Sequence, residues 1–397
     1  MLTSLRLRNF KSFADAQAPF GPLTLLVGAN ASGKSNVLDA LRLLRGLGAE
    51  NLQLEEVLAG AAGWTGIRGG IHEAVRTGAE AFVLESSWRM APDQLEQPAQ
   101  SLDHLLECAV TPYPMIRRER LLEVGRQLPI FEAKSDEERR VSLLTDPTRQ
   151  EVVAEGFAED RSWLSLLAFQ VLVKGAESVR GLFQALGGIR LLDVVPSAMR
   201  GYVPQKRREL GENGENLSAI LWQLCQEPEQ KRELVDWLSE LCAPELADIE
   251  FSTTDESDVM LRLVEMGGGK VSARSLSDGT LRFLGELVAL RTAPKGSIIL
   301  LEELGRELHP SRVHLLVEYL ESITEERGIQ VIATTHSPLV LESLGPKARG
   351  DVVALGHVAD QPGTVMKRVS DLARFEEVVE RRGMAYLFTT NWLEQAL

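Results

Sequence analysis

Gly28-Ala29-Asn30-Ala31-Ser32-Gly33-Lys34-Ser35 carries the fixed positions of G-x-x-x-x-G-K-[ST], a spacing suited to holding a polyphosphate. Gly28 and Gly33 let the backbone turn its N–H groups inward, Lys34 reaches the terminal phosphates, and Ser35 offers a hydroxyl to magnesium. Asn30, Ser32 and Asn36 complete the candidate nucleotide-binding set. Two carboxylates, Glu302 and Glu303, follow the apolar run Ile298 to Leu301. At that place one acid can hold magnesium and the other can orient a water for in-line attack on phosphorus. His336 follows a further apolar run, Gln330 to Ala333, where an imidazole can donate to a phosphate or position water. Ser277, Asp278 and Gly279 form a small polar turn at a helix start, a second anion-binding arrangement.

These groups need strands that end together. Leu23 to Val27 reads as a buried strand, and Asn36 to Leu47 reads as a helix with Val37, Leu38, Leu41 and Leu44 on one side. In an open α/β sheet ligands bind at the carboxyl ends of the strands, where the glutamates and His336 also stand. Leu2 to Arg8 alternates as a half-buried strand, with further strands expected at Ala14 to Pro19, Ala81 to Trp88 and Ile189 to Val195. Asn216 is placed to cap a helix at Leu217, a second helix spans Glu229 to Leu241, and the acidic turn Asp255 to Asp258 joins a hairpin. Residues 101 to 186 carry helical spacing and many charges, and read as a mainly helical insertion. The expected division is therefore 1–90 and 187–345 for the two parts of a nucleotide-binding head, 91–186 for the insertion, and 346–397 for a carboxyl-terminal extension.

The chain has 397 residues, 44% of them hydrophobic and 25% charged, which fits a folded protein of more than one core. No apolar run approaches the length of a membrane span and the amino terminus lacks a signal-peptide core, so a cytoplasmic protein is expected. Cys108, Cys225 and Cys242 are scattered, with no zinc-ligand spacing. A net charge of −14 excludes a protein that coats nucleic acid over its whole surface. Basic groups at Arg117-Arg118-Arg120, Arg139-Arg140 and Lys206-Arg207-Arg208 leave local contact with a phosphate backbone open.

Taken together, the phosphate loop, Ser275 to Arg282, the glutamate pair with Leu308-His309-Pro310, and Thr334 to Pro338 resemble the head domain of the ABC-type ATPases of the SMC and RecF class. The opening Leu5 to Phe13, followed by Leu23 to Asn36, is similar to the bacterial AAA-labelled, OLD-like ATPases that often accompany phage-defence nucleases. The resemblance covers residues 1 to 90 and 187 to 345. It implies a P-loop α/β head that binds ATP and magnesium, with Lys34 and Ser35 at the phosphates, Glu302 in place of the Walker B aspartate, Glu303 as catalytic glutamate and His336 as switch histidine. Ser277, Asp278 and Gly279 then belong to the signature turn that meets nucleotide held by a second subunit, which requires a homodimer or larger homo-oligomer.

Leu304, Gly305, Arg306 and Glu307 depart from the Pro-Glu-x-Gly that members of the group commonly carry before Leu-His-Pro. Gln94 and Gln97 are the candidates for a glutamine loop by position. OLD-type nucleases add a metal-dependent TOPRIM domain, and the residues after His336 are too few for one, so a separately encoded nuclease-like effector is expected as partner. DNA clamping by the dimer, and a nucleotide-dependent scaffold that holds an effector inactive, are the rival readings.

Overall fold

The computed structural model describes residues 1–90, 101–135, 140–144, 152–155, 159–168, 176–241, 246–306, 308–359, 361–390 and 392–397. Its strands in chain order are β1 (Leu2–Phe10), β2 (Phe13–Pro19), β3 (Leu23–Val27), β4 (Ala81–Arg89), β5 (Ser101–Ala109), β6 (Met115–Glu123), β7 (Phe131–Ser135), β8 (Arg140–Leu144) and β9 (Val152–Glu155). They continue with β10 (Ile189–Leu192), β11 (Val203–Pro204), β12 (Leu246–Thr253), β13 (Asp258–Glu265), β14 (Lys270–Ser272), β15 (Ile298–Leu301), β16 (Gln330–Thr334), β17 (Val353–His357) and β18 (Thr364–Arg368).

The central sheet has the order β10-β15-β16-β3-β17-β18, parallel except for β18. Its inner strands are buried on both faces, which is why β3, β15 and β16 read as unbroken apolar runs. Ile298 and Leu300 of β15 face a cluster built on the helix Lys34–Gly48 and on β1 and β4. Ile299 and Leu301 face the opposite cluster, with the helices Asp278–Thr292 and Pro310–Arg327. A second, antiparallel sheet runs β2-β1-β4-β5-β6-β7-β8-β9, and a small third sheet holds β11 to β14. The buried Gln330 side chain ties the first two together, accepting from Leu2 N at 3.0 Å and donating to the Leu2 and Gly21 carbonyls at 2.8 Å.

The span expected as a mainly helical insertion is corrected. Residues 101 to 155 supply five strands, β5 to β9, that extend the antiparallel sheet, and among the described residues of the span the helices are Trp163–Leu167 and Ala176–Gly187. The charges mislead because on β6, an inner strand, they stand on its partly exposed side and are matched across the sheet rather than along a helix. Arg118 pairs with Glu132 on β7, while Ile116, Glu119 and Leu121 point inward. Asn216 precedes the helix Leu217–Leu224 without capping it. Its amide instead accepts from Gly211 N at 2.8 Å and donates to the Glu209 carbonyl at 2.6 Å, closing the loop before the helix. Gln94, Gln97, Arg139, Cys242 and Glu307 lie outside the described residues.

Candidate functional site

Parallel register brings the site together. Leu301 of β15 lies beside Ala333 of β16, and Thr334 of β16 lies beside Leu26 of β3. Three strands therefore end level, and the residues immediately after them are Glu302 and Glu303, Thr335 and His336, and Gly28. Strand spacing of about 5 Å places these groups within reach of one ligand.

Gly28 has φ +150, and a Cβ there would meet the Leu355 carbonyl oxygen at 2.1 Å, so the loop lies against β17 more closely than any side chain allows. Gly33 has φ +97 and turns the chain into the helix Lys34–Gly48, whose first N–H groups have no intrahelical partner. Asn30 is exposed on the loop, Ser32 is buried and Ser35 is half-buried in the first helical turn. The Lys34 ammonium folds back over this loop, donating to the Gly28 carbonyl at 2.8 Å and the Ala29 carbonyl at 2.7 Å. Asn36 turns away: its amide donates to Ser12 Oγ at 3.0 Å, which also receives Thr364 Oγ1 at 2.9 Å. That contact anchors the loop to the turn between β1 and β2.

Glu303 has φ +55, a left-handed conformation, and is held in it by two contacts from β16. Its N–H donates to Thr334 Oγ1 at 2.9 Å, and the next N–H, of Leu304, donates to the Thr334 carbonyl at 2.8 Å. Thr335 Oγ1 in turn donates to the Leu304 carbonyl at 2.9 Å and accepts from Ser337 N at 3.1 Å. Two threonines thus fix the glutamate pair and the His336 loop as one unit. Sequence reasoning took them only as part of a histidine motif.

The electrostatics agree with the geometry. Burial lowers the pKa of Lys34, with Glu303 opposing it. Burial and then the Lys34 charge lower that of His336, again against Glu303. Glu303, Arg306 and His336 line one open pocket with Leu304 and Ser337, and the His336 ring meets Phe388 edge-on at 6.4 Å. The Glu303 carboxylate is paired with Arg306.

Glu302 is paired with Arg68, a residue no sequence pattern singled out because its partners lie far away in the chain. Arg68 Nε also stands 3.6 Å from the wholly buried Asp39, and Lys11 closes the group by binding Asp39 and the Arg68 carbonyl. Ser277 caps the helix Asp278–Thr292 by accepting from Thr280 N at 3.1 Å, with Asp278 exposed beside it. The partners of Ser277 and Asp278 are Thr280 and Arg200, not Lys34, Glu303 or His336.

The loop suits a nucleoside triphosphate, because the cation now sits on neutral carbonyl oxygens that anionic phosphate oxygens would outcompete. Ser35 and Glu302 supply the hard oxygen donors that magnesium prefers.

Residues 112–342 match the family model described as "AAA domain, putative AbiEii toxin, Type IV TA system". The chain belongs to this AAA family. Residues 1–59 match a second model, described as "AAA ATPase domain". Short stretches of this AAA protein are similar to curated proteins: 44% identity over 46 residues to the OLD nuclease of Thermus scotoductus (12% of this chain, 9% of that protein), and 50% over 44 residues to the DNA replication and repair protein RecF of a Synechococcus species (11% and 12%). A longer match, 28% identity over 152 residues, is to the methionine import ATP-binding protein MetN of Corynebacterium glutamicum (34% and 41%). The AAA chain spans less than half the length of each of these relatives.

Among solved structures, the SMC head bound to the C-terminal winged-helix domain of ScpA superposes with a TM-score of 0.54 at 14% identity, covering 93% of this chain and 98% of that one. The Pyrococcus furiosus SMC head with an extended coiled coil, bound to the C-terminal domain of ScpA, gives 0.52 at 12% identity, covering 96% and 98%. The fold is an SMC-like P-loop ATPase head. No helix among the described residues is long and apolar enough to cross a membrane.

Proposed function

We propose that this AAA protein is a dimerising Mg-ATPase whose composite sites form between two copies, with ATP cleavage releasing the pair to switch a separately encoded, nuclease-like partner in phage defence or DNA maintenance. The observation that carries this reading is the convergence of Lys34, Glu303 and His336 at the level ends of β3, β15 and β16.

Lys34 and the free N–H groups of the first helical turn bind the phosphate oxygens. Ser35 and Glu302 would hold magnesium, which supplies charge neutralisation for phosphoryl transfer. Glu303 leaves Arg306 and accepts a proton from the attacking water. His336 is neutral near pH 7, since burial and Lys34 disfavour its charged form, so it can donate one N–H toward the terminal phosphate while its other nitrogen stays unprotonated. Ser277 and Gly279 present a hydroxyl and a backbone N–H to the nucleotide of the second copy.

The test is turnover and solution mass with and without Mg-ATP. Glu303→Gln should lower turnover by about 10²–10⁴-fold and trap a dimer. Unchanged turnover in that variant would remove Glu303 from the chemistry and favour the scaffold reading.

A second reading, direct DNA contact, draws support from the exposed loop Lys206-Arg207-Arg208. By contrast Arg117 and Arg118 each face a nearby glutamate. DNA affinity that falls with salt and is lost on neutralising the loop would favour this reading.

A further inference from the structure

The signature turn is held by a residue from outside its own helix. After β10 the chain forms the single helical turn Pro196–Arg200, which lies against the helix Asp278–Thr292. The approach is close: a Cβ on Gly285 would stand 3.1 Å from both Met199 Cε and Val194 Cγ2. Arg200 then reaches the segment just before the helix. Its Nη1 donates to the carbonyls of Ala273 at 3.1 Å, Arg274 at 2.9 Å and Leu276 at 2.7 Å, and its Nη2 pairs with the Asp278 carboxylate.

An isolated exposed ion pair is worth little. Here the acceptors include three of the four carbonyls of the irregular stretch Ala273 to Leu276, which no strand ladder engages. A guanidinium can serve the carbonyls and Asp278 at once, because Nη1 takes the carbonyls and Nη2 the carboxylate, whereas a lysine has one donor atom for both.

We infer that Arg200 is a positioning residue: it fixes Ser277, Asp278 and Gly279 in the orientation that a second copy's nucleotide meets. Through β10, paired with β15 from Ile189↔Ile298 to Leu192↔Leu301, it links that turn to the strand that ends just before Glu302. One copy's signature turn is thereby held in register with its own acid pair. This rests on the composite-site reading above, so its test must separate the two.

The experiment uses the full chain carrying Glu303→Gln, alone and with Arg200→Met or Arg200→Lys. Three quantities are read: binding of radiolabelled ATP with magnesium, mass by light scattering over a range of protein concentrations, and amide exchange across residues 273 to 281 without nucleotide. Arg200→Met should keep ATP binding within about twofold, since Lys34 and its loop are untouched. It should speed exchange at the turn by roughly tenfold or more, and raise the protein concentration needed for ATP-driven doubling of mass by a similar factor. Arg200→Lys should fall between, and it carries the comparison if Arg200→Met does not fold.

Unchanged exchange at the turn overturns the positioning role. Loosened exchange with dimerisation at the unaltered concentration also overturns it, because the turn would then not govern pairing. If the chain with native Arg200 never doubles in mass while Arg200→Met loosens the turn, the composite-site reading fails and Arg200 still positions the turn.

Discussion

Lys11→Met tests the charged group beneath the phosphate-loop helix. Lys11 is 7% exposed and Asp39 wholly buried, and their contact joins the turn after β1 to the first helix behind the loop. Removing one partner of a buried pair costs about 3–5 kcal/mol, because the other charge is left without compensation. Arg68 Nε remains 3.6 Å from Asp39, so the low end, about 3 kcal/mol, is the better expectation.

For 397 residues unfolding as one unit, an unfolding entropy of about 2.1 cal/mol/K per residue turns this into a fall in Tm of about 4 °C. Urea titration and calorimetry should agree on it. The double variant Lys11→Met/Asp39→Asn should recover at least half the loss, since no buried charge is then stranded. A cost below about 0.5 kcal/mol for Lys11→Met, or additive losses in the double variant, would refute the reasoning.

Gly28→Ala should abolish ATP binding, measured by dialysis, because its Cβ would collide with the Leu355 backbone; native affinity would show the loop free to move off β17. Glu286 is buried on the signature helix, and burial pushes its pKa up to about 7. Its folded pKa is above the unfolded one, so its contribution is fully present below about pH 4.5 and is lost as pH rises through about 7. Native stability should therefore drop by a few kcal/mol relative to Glu286→Gln between about pH 4.5 and 8, and parallel pH curves for the two chains would contradict this. His336 titrates below its usual value, so the acid limb of turnover it controls should lie under pH 6.5 and vanish in His336→Gln.

The parallel sheet was legible because β3, β15 and β16 are buried on both faces and so leave plain apolar runs. The candidate residues at the strand ends stood out for the same reason, since Gly28, Glu302 and the Thr335-His336 pair each directly follow such a run, whereas Ser277 to Gly279 do not. Residues 101 to 155 were not, because Arg117, Arg118 and Arg120 crowd a strand whose charges are balanced from β7 and from Glu80. Cross-strand pairing leaves no trace in local spacing. On similar grounds Arg68 escaped notice and Thr334 was read only as part of the histidine motif, as each acts through a residue far away in the chain. Asn216 shows the converse, a cap-type residue at a helix start whose amide is used by the preceding loop.

The central strand of the sheet also sets a timetable. β3 carries the phosphate loop, yet Leu23 pairs with Val331 on one side and Leu26 with Val353 on the other. Synthesis at roughly 5–20 residues per second leaves about 20–60 s between the appearance of β3 and that of β17. Until β16 is made both edges of that apolar strand are bare, and until β17 is made one edge still is. Because Gly28 packs on the Leu355 backbone, premature termination before Val353 should yield a chain with an intact motif whose loop has lost the strand it rests on.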